Sequence, residues 1–124
     1  MKYITKEVFD CKMTIISEIF PLSTLITLTK NLSLTNNINF VGHSSEPEIY
    51  FKNASLHIFT SISESFGLVL YETKIYGIPN ILLGFDYLII SDGGTIIIYD
   101  DRPESIAKEA IKIIKNYKYR KKWG

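Results

Sequence analysis

The chain has 124 residues, of which 46% are hydrophobic and 22% are charged, the balance of an ordinary globular domain. Its formal net charge of +1 gives no electrostatic field that would attract DNA or RNA, which excludes nucleic acid as a partner. The single cysteine excludes an internal disulfide, and the sequence shows neither a signal peptide nor the ~20 apolar residues of a membrane span. These features predict a soluble, cytoplasmic chain.

The first part of the sequence alternates between strand-like and helix-like segments. Residues 13–16 (MTII) are apolar and β-branched, which predicts a strand, and Pro21 opens a helix with apolar residues at helical spacing. A second strand is predicted over 37–42 (NINFVG). A short helix is predicted over 46–54, with Pro47 in its first turn.

The alternation continues in the second part of the sequence. Strands are predicted over 55–61, 80–84 and 95–100. The helix SFGLVLYETKIY lies between the first two of these strands and is stopped by Gly77 and Pro79.

The last predicted helix follows the sequence DDRP. Asp101 and Glu104 have the spacing of a capping box, and Pro103 lies in the first turn. The apolar residues at helical spacing define one face: Ile106, Ala110, Ile113, Ile114 and Tyr117.

The strand sequences LHIF and NILL are apolar without alternation, which predicts burial on both faces in a parallel sheet covered by helices. Strand–helix–strand order with short links predicts the α/β class, with a Rossmann-like parallel sheet flanked by helices. Residues 1–12 are expected to form a segment that precedes a single domain over 13–124.

Two glutamates, Glu64 and Glu72, are eight positions apart around the start of one predicted helix. Glu64 follows a strand, at the sheet edge where open α/β folds bind ligands. The free N–H groups around Phe66, Gly67 and Leu68 would suit a phosphate, and Glu72 could accept hydrogen bonds from a ribose diol. From the spacing alone, the plainer interpretation stays open: Glu64 complements the helix dipole and Glu72 faces solvent.

The run from Ser61 to Ile81 is more specific than the spacing, because it resembles the E-x7-E motif of retaining GT-B glycosyltransferases of family 4. That motif reads approximately S-x-x-E-G-F-G-L-V-x-x-E-A-x-A-x-G-x-P-V-I. The residues in register with it are Ser61, Glu64, Phe66, Gly67, Leu68, Val69, Glu72, Gly77, Pro79 and Ile81. The flanking segments NINFVG and SDGGTIIIYDDRPESIAKEAIKII also resemble the family, so the likeness covers roughly residues 13–122.

The resemblance implies the C-terminal, donor-binding domain of a GT-B glycosyltransferase, which transfers a sugar from a UDP- or GDP-linked donor with retention of anomeric configuration. Glu64 would be catalytic and would face the transferred sugar and the phosphates. Glu72 would bind the ribose hydroxyls, and Phe66 with the amides of Gly67 and Leu68 would complete the donor site. Neither a metal ion nor a cofactor is implied, because the nucleotide-sugar is a substrate.

Departures from the family motif leave an alternative open. The arginine and lysine that follow the family's first strand have no counterpart here, and the N-terminal acceptor-binding domain is expected to be missing from this chain. Ser65 and Thr73 stand where glycine and alanine are common. The alternative is a degenerate, non-catalytic fragment that binds a nucleotide-sugar without transferring it. A flavodoxin-like receiver ranks lowest, because the early strands do not end in acidic residues.

The remaining reactive side chains have plain interpretations. His43 is expected to be polar surface, His57 to be packed within a strand, and Cys11 to be a small apolar filler. No His, Cys or Asp cluster has metal-ligand spacing. Tyr87 and Asp92 lie in a loop that could contact a ligand, but neither is assigned to the site. The basic, aromatic segment 117–123 is expected to be solvated, so membrane contact is not indicated.

Overall fold

The computed structural model describes residues 1–16, 22–42, 44–59, 67–83, 94–116 and 118. The chain divides into two compact units, residues 1–50 and 51–124. The described strands pair in parallel and alternate with helices in both units, which confirms the predicted α/β class. These strands form two hydrogen-bonded sheets, β1-β2 and β3-β4-β5.

The first unit contains five elements in chain order: α1 (Ile4–Glu7), β1 (Met13–Ile16), α2 (Leu22–Asn31), β2 (Ile38–Gly42) and α3 (Glu48–Phe51), the last of which crosses into the second unit. Strands β1 and β2 run parallel, with Met13 opposite Ile38 and a register irregularity between Ile15 and Ile16. Helix α3 is shorter than predicted and begins directly after Pro47.

Helix α1 is absent from the sequence-based prediction. It is a single turn that buries Ile4, and the Thr5 hydroxyl donates a hydrogen bond to the carbonyl of Met1 over 3.0 Å. One turn contains too few residues to show a helical period, so the hydrophobic pattern had no signal to detect here.

The second unit contains β3 (His57–Phe59), α4 (Gly67–Ile75), β4 (Asn80–Leu83), β5 (Thr95–Ile98) and α5 (Pro103–Lys115). Strand β4 is paired in parallel with β3 on one side and with β5 on the other. All four residues of β4 are buried, as the lack of alternation in this strand predicted, and α5 contacts this strand. The buried apolar residues of this unit are Leu70, Ile78, Ile81, Leu82, Leu83, Ile98, Ala107, Ala110 and Ile113.

Helix α4 ends in a Schellman motif. The N–H of Ile78 donates to the carbonyl of Thr73 over 3.1 Å, and the N–H of Gly77 donates to the carbonyl of Lys74 over 2.9 Å. Gly77 has a φ of +66°, a left-handed conformation that glycine adopts without a steric penalty. The predicted stop of this helix at Gly77 is therefore confirmed.

Helix α2 ends in the same motif without a glycine. The N–H of Leu34 donates to the carbonyl of Thr29 over 2.9 Å, and the N–H of Ser33 donates to the carbonyl of Lys30 over 3.0 Å. Ser33 takes the left-handed position, with a φ of 57°. A residue with a Cβ is disfavoured in this conformation, so Ser33 stores backbone strain.

The predicted capping box of α5 is wrong. The helix begins at Pro103, and the residue at the N-cap is Arg102, whose side chain makes no capping hydrogen bond. Proline suits the first helical position, where its missing N–H has no intrahelical acceptor. It therefore places the cap one residue later than Asp101.

The carboxylate that organises this turn is Asp100. It accepts hydrogen bonds from the backbone N–H of Arg102 over 3.0 Å, from the Ser105 hydroxyl over 2.7 Å and from the Arg102 guanidinium. The guanidinium, then the hydroxyl, then the backbone N–H hold the pKa of Asp100 well below its usual range.

The buried face of α5 matches the predicted one in part, at Ala110 and Ile113. Ala107, Ala110 and Ile113 are buried, whereas Ile106 and Ile114 are partly exposed and Tyr117 lies outside the described residues. The side chains of the two alanines are small, so the helix can approach neighbouring elements most closely on the face that carries them.

The two Schellman motifs offer a matched test of backbone strain. We expect Ser33→Gly to raise the free energy of unfolding by roughly 0.5–1 kcal/mol, and Gly77→Ser to lower it by about 1 kcal/mol, because only glycine is unstrained at this φ. A Cβ on Gly77 would meet nothing within 4 Å, so the expected loss is conformational and not steric. Urea unfolding of the two variants beside the unsubstituted chain measures both changes. A loss of stability in Ser33→Gly would contradict the assignment of strain.

Candidate functional site

The candidate site lies at one edge of the three-stranded sheet. Strands β3, β4 and β5 are parallel, so their last residues, Phe59, Leu83 and Ile98, end at a common edge. The chain passes from β3 into α4, which begins at Gly67 and returns towards β4. The first turn of α4 therefore starts from the carboxyl edge of the sheet, where open α/β folds place their ligands.

The first turn of α4 offers backbone donors at this edge. The amides of Gly67 and Leu68 belong to that turn, and the N–H groups of a first turn have no intrahelical acceptor. No acidic residue occurs in the first turn, so no side-chain charge competes there with an incoming anion. The turn can therefore bind a negatively charged group.

Glu72 lies on the exposed surface of the same helix. Its neighbour Tyr71 is 49% exposed, and the Lys74 ammonium lies 6.0 Å from the centre of the Tyr71 ring. Within the part of the chain that the structure describes, no hydrogen bond or ion pair joins the Glu72 carboxylate to another side chain. Both of its oxygens are therefore available to a ligand.

The structure does not describe the other predicted site residues. Glu64 and Phe66 lie outside the described residues, as do His43, Tyr87 and Asp92. Of the predicted donor site, the structure thus places the start of α4 and Glu72 on one helix, with the backbone of Gly67 five residues before Glu72.

A buried polar cluster lies behind α4, between this helix and the sheet. The Thr73 hydroxyl lies 2.9 Å from Asn80 Oδ1 and 3.0 Å from the carbonyl of Leu70. Asn80 Oδ1 also lies 2.8 Å from His57 Nδ1, and Asn80 Nδ2 donates to the carbonyl of Ile78 over 3.4 Å. Thr73 and Asn80 are fully buried. One side-chain amide therefore joins α4, β3 and β4.

His57 is packed in its strand, as predicted. Because Asn80 Oδ1 is an acceptor, His57 Nδ1 carries the proton that joins them. Burial lowers the pKa of His57, and the hydrogen bond that His57 donates to Asn80 opposes that shift only in part. The folded chain therefore favours the uncharged ring.

Thr95 extends the same row of polar residues. In the sheet register His57 is opposite Asn80, and Asn80 is opposite Thr95, so all three begin their strands at the amino edge. Thr95 Oγ1 is buried and has no hydrogen-bond partner within the described ranges. A buried hydroxyl without a partner destabilises a fold.

Asn80 and Thr73 were not recognised as a pair in the sequence. The available signal was a polar residue within each of two apolar segments: His57 in LHIF and Asn80 at the start of NILL. A side-chain amide in a strand buried on both faces requires partners, and a helix that covers that strand can provide one. Thr73 departs from the alanine of the motif, but its partner depends on the packing of α4 against β4.

Two searches of the described residues bear on other functions. No group of three or more His, Cys, Asp or Glu side chains there is arranged to hold a metal ion. None of the helices in the described ranges is long and apolar enough to cross a membrane.

Comparison with known proteins identifies the family. Residues 2–124 match the model of the family described as glycosyl transferases group 1. The chain belongs to this family. A curated relative, N-acetyl-alpha-D-glucosaminyl L-malate synthase of Bacillus anthracis, is 26% identical over 118 residues, which cover 93% of this chain and 31% of that protein.

Solved structures show the same fold as this family member. TarM superposes with a TM-score of 0.86 at 17% identity, covering 98% of this chain and 25% of that one. The pneumococcal O-GlcNAc transferase GtfA, solved in complex with UDP and GlcNAc, superposes with a TM-score of 0.71 at 26% identity, covering 98% of this chain and 25% of that one. These likenesses confirm the predicted GT-B class of fold. The chain spans between a quarter and a third of the length of these three proteins.

The same substitution at two threonines separates a bonded hydroxyl from an unbonded one. We expect Thr95→Val to raise the free energy of unfolding by about 1 kcal/mol, because it removes a buried group without a partner. Thr73→Val should lower it by about 1–2 kcal/mol, because it leaves Asn80 Oδ1 with one bond fewer. Chemical denaturation measures both. Equal destabilisation by the two substitutions would show that the Thr95 hydroxyl is bonded.

The lowered pKa of His57 predicts a pH dependence of stability. The pKa of His57 in the folded chain lies below its unfolded value of about 6.5. The contribution of the neutral ring to the free energy of unfolding is therefore fully present above that pH. It is lost as the pH falls through about 6.5 towards the folded pKa, since the unfolded chain then binds more protons. Unfolding measured from about pH 7.5 to about pH 5 should show this slope, with a smaller slope in His57→Gln. His43→Gln is the matched control, because His43 is the other histidine of the chain. An unchanged slope in His57→Gln would contradict the assignment.

Proposed function

We propose that this chain is the donor-binding part of a glycosyltransferase that transfers a sugar from a nucleotide-sugar, with a UDP-linked donor and retention of anomeric configuration. The observation that carries the proposal is the exposed carboxylate of Glu72, which has no partner among the described residues, on a helix that starts at the carboxyl edge of a parallel sheet. That helix lies within the family match.

The diphosphate would be bound at the first turn of α4. A helix N-terminus carries roughly half a positive charge, and the amides of Gly67 and Leu68 would donate to the phosphate oxygens. Glycine at the start of the helix has no side chain to keep a phosphate away from the backbone. The charge that develops on the leaving diphosphate would be stabilised by these fixed dipoles.

Glu72 would hold the ribose. It lies five residues after Gly67, or about 7.5 Å along the helix axis, a separation that a ribosyl diphosphate can bridge. A carboxylate accepts two hydrogen bonds, one from each hydroxyl of the ribose diol. Bonds to a charged acceptor are stronger than those between neutral groups, so this contact would contribute much of the affinity for the nucleoside.

Glu64 and Phe66 are assigned by resemblance. Glu64 would be the catalytic carboxylate that faces the transferred sugar, and Phe66 would complete the donor site. Both belong to the run that links β3 to α4 and precede Gly67 by three residues and one residue. A segment that follows a parallel strand and precedes the next helix would lie at the edge of the sheet where such folds bind ligands.

The relatives support the choice of donor. GtfA is described in complex with UDP and GlcNAc, and the Bacillus anthracis relative is named as a glucosaminyl L-malate synthase. Both are 26% identical to this chain. A uridine diphosphate donor is therefore the first to test, with the GDP-linked donor as the alternative.

A second candidate is a domain that binds the nucleotide-sugar but does not transfer the sugar. The observation that favours it is the sequence SEIFPLS after β1, which contains no basic residue to neutralise a diphosphate. Measurement of binding and of sugar transfer by the same preparation separates the two candidates.

Nucleotide binding tests the proposal directly. Titration of UDP, GDP and ADP into the chain should show saturable binding of UDP, and Glu72→Gln should weaken it roughly 10- to 100-fold, which corresponds to about 1.5–3 kcal/mol for hydrogen bonds to a charged group. Glu104→Gln, at an exposed helical glutamate of the same unit, removes the same charge and should leave binding unchanged.

The deoxynucleotide makes the assignment of the ribose specific. Replacing UDP by 2′-deoxy-UDP should weaken binding to the unsubstituted chain, and should weaken binding to Glu72→Gln much less, because the partner of the hydroxyl is already altered. Equal losses in both proteins would show that Glu72 does not contact the 2′-hydroxyl. A folded chain that binds none of the three nucleotides would overturn the proposal.

A further inference from the structure

The buried polar cluster behind α4 joins the helix that would bind the donor to the sheet that supports it. We propose that Thr73, Asn80 and His57 are positioning residues, which fix the rotation of α4 about its own axis and thereby aim Glu72 and the first-turn amides at the donor. This inference rests on the proposed function, in so far as it concerns donor binding.

The bonding pattern connects three elements through one amide. Asn80 lies on the central strand β4, and its Oδ1 is 2.9 Å from the Thr73 hydroxyl of α4 and 2.8 Å from Nδ1 of His57 on β3. Asn80 is itself held, since its Nδ2 donates to the carbonyl of Ile78. The anchor of α4 is thus a group that cannot turn without breaking bonds to its own strand and to the neighbouring one.

The anchor acts on the residue next to the candidate ligand. Thr73 follows Glu72 directly, and successive helical residues point about 100° apart around the axis. Thr73 is 0% exposed while Glu72 is exposed, so the two side chains mark the inner and outer surfaces of one turn. Fixing the direction of Thr73 therefore fixes the direction of Glu72.

A hydrogen bond restrains rotation in a way that apolar contact does not. Hydrophobic contact is non-directional, so a helix can turn through small angles over an apolar surface with little change in buried area. The bond between Thr73 and Asn80 weakens when its angle is distorted. The motif this chain resembles has alanine at position 73 and valine at position 80, so here a directional contact replaces a non-directional one.

A small rotation would be enough to affect binding. A helix with its side chains is about 10–12 Å across, so a rotation of about 20° moves a group at its surface by about 2 Å. Misplacement by about 1 Å can change a reaction rate by about 10²-fold. A bond that prevents this rotation is therefore relevant to function and not only to stability.

The competing explanation is that the cluster only satisfies buried polar groups. The variant that separates the two replaces all three side chains by apolar ones: His57→Val, Thr73→Ala and Asn80→Val. Removing every partner of a buried network can be nearly neutral for stability, so this variant can remain folded. Thr95→Val is the matched control, since it changes the polarity of the same row of the sheet without touching the bonds to α4.

The experiment measures UDP affinity, stability and the orientation of α4 in the same proteins. The expected result is that the triple variant is as stable as the unsubstituted chain but binds UDP roughly 10-fold more weakly, and that residual dipolar couplings of the amides from Gly67 to Ile75 change. Thr95→Val should leave the affinity and the couplings unaltered. A triple variant of equal stability with unchanged affinity and unchanged couplings would overturn the inference.

A less severe pair of variants keeps the test decisive if the triple variant does not fold. Thr73→Ser retains the hydroxyl, so its amide couplings and its affinity for UDP should equal those of the unsubstituted chain. Thr73→Ala should change the couplings and weaken the binding of UDP. Identical couplings in these two variants would contradict the inference. The couplings require no nucleotide, so if the folded chain does not bind UDP the proposed function fails while the orientation of α4 still decides the positioning role.

Discussion

The packing of the second unit depends on the hydrogen bonds of one buried side-chain amide, that of Asn80. Asn80 lies on β4, the strand that is hydrogen-bonded on both sides and buried along its whole length. An amide in such a place destabilises the fold unless its oxygen and its nitrogen both have partners. The partners are His57 on the neighbouring strand, Thr73 on the covering helix, and the carbonyl of Ile78, two residues before Asn80. The packing of α4 on this sheet is therefore constrained by the geometry of hydrogen bonds as well as by the fit of apolar side chains.

The strongly patterned elements could be predicted from the sequence. The run NILL shows no alternation of apolar and polar residues, and a strand that is paired on both sides and covered by helices has no solvent-facing side that would require such alternation. Gly77 could be recognised as a stop because few other residues adopt its backbone conformation without strain. Both predictions depend on a property of a single segment, and no knowledge of the neighbouring elements was needed.

The sequence did not reveal two local turns or the contact between α4 and β4. The start of α5 was placed at Asp101 from the spacing of two acidic residues, whereas the turn is organised by Asp100, which reaches Arg102 and Ser105. The end of α2 at Ser33 carries no glycine, so the residue type gave no sign of a left-handed turn. The bond between Thr73 and Asn80 joins residues seven apart in sequence, in different elements, and only the packing of helix on sheet brings them together. The residues of the candidate site could be proposed from the sequence, because residues at a fixed spacing along one helix have a fixed relative position.

Parallel β-α-β topology separates the anchor of α4 from the end that would bind a ligand. The helix starts at the carboxyl edge of the sheet and finishes near the amino edge, where His57 and Asn80 begin their strands. Polar bonds at the amino edge can hold the helix without occupying the first-turn amides, which a ligand would need. If the polar anchor were instead at the carboxyl edge, its donors and acceptors would compete with the phosphates for the same amides. The position of the cluster is thus compatible with a tightly held helix whose N-terminus is still free to bind. The bonds that hold the helix and the amides that would bind a ligand lie at opposite ends of the same helix.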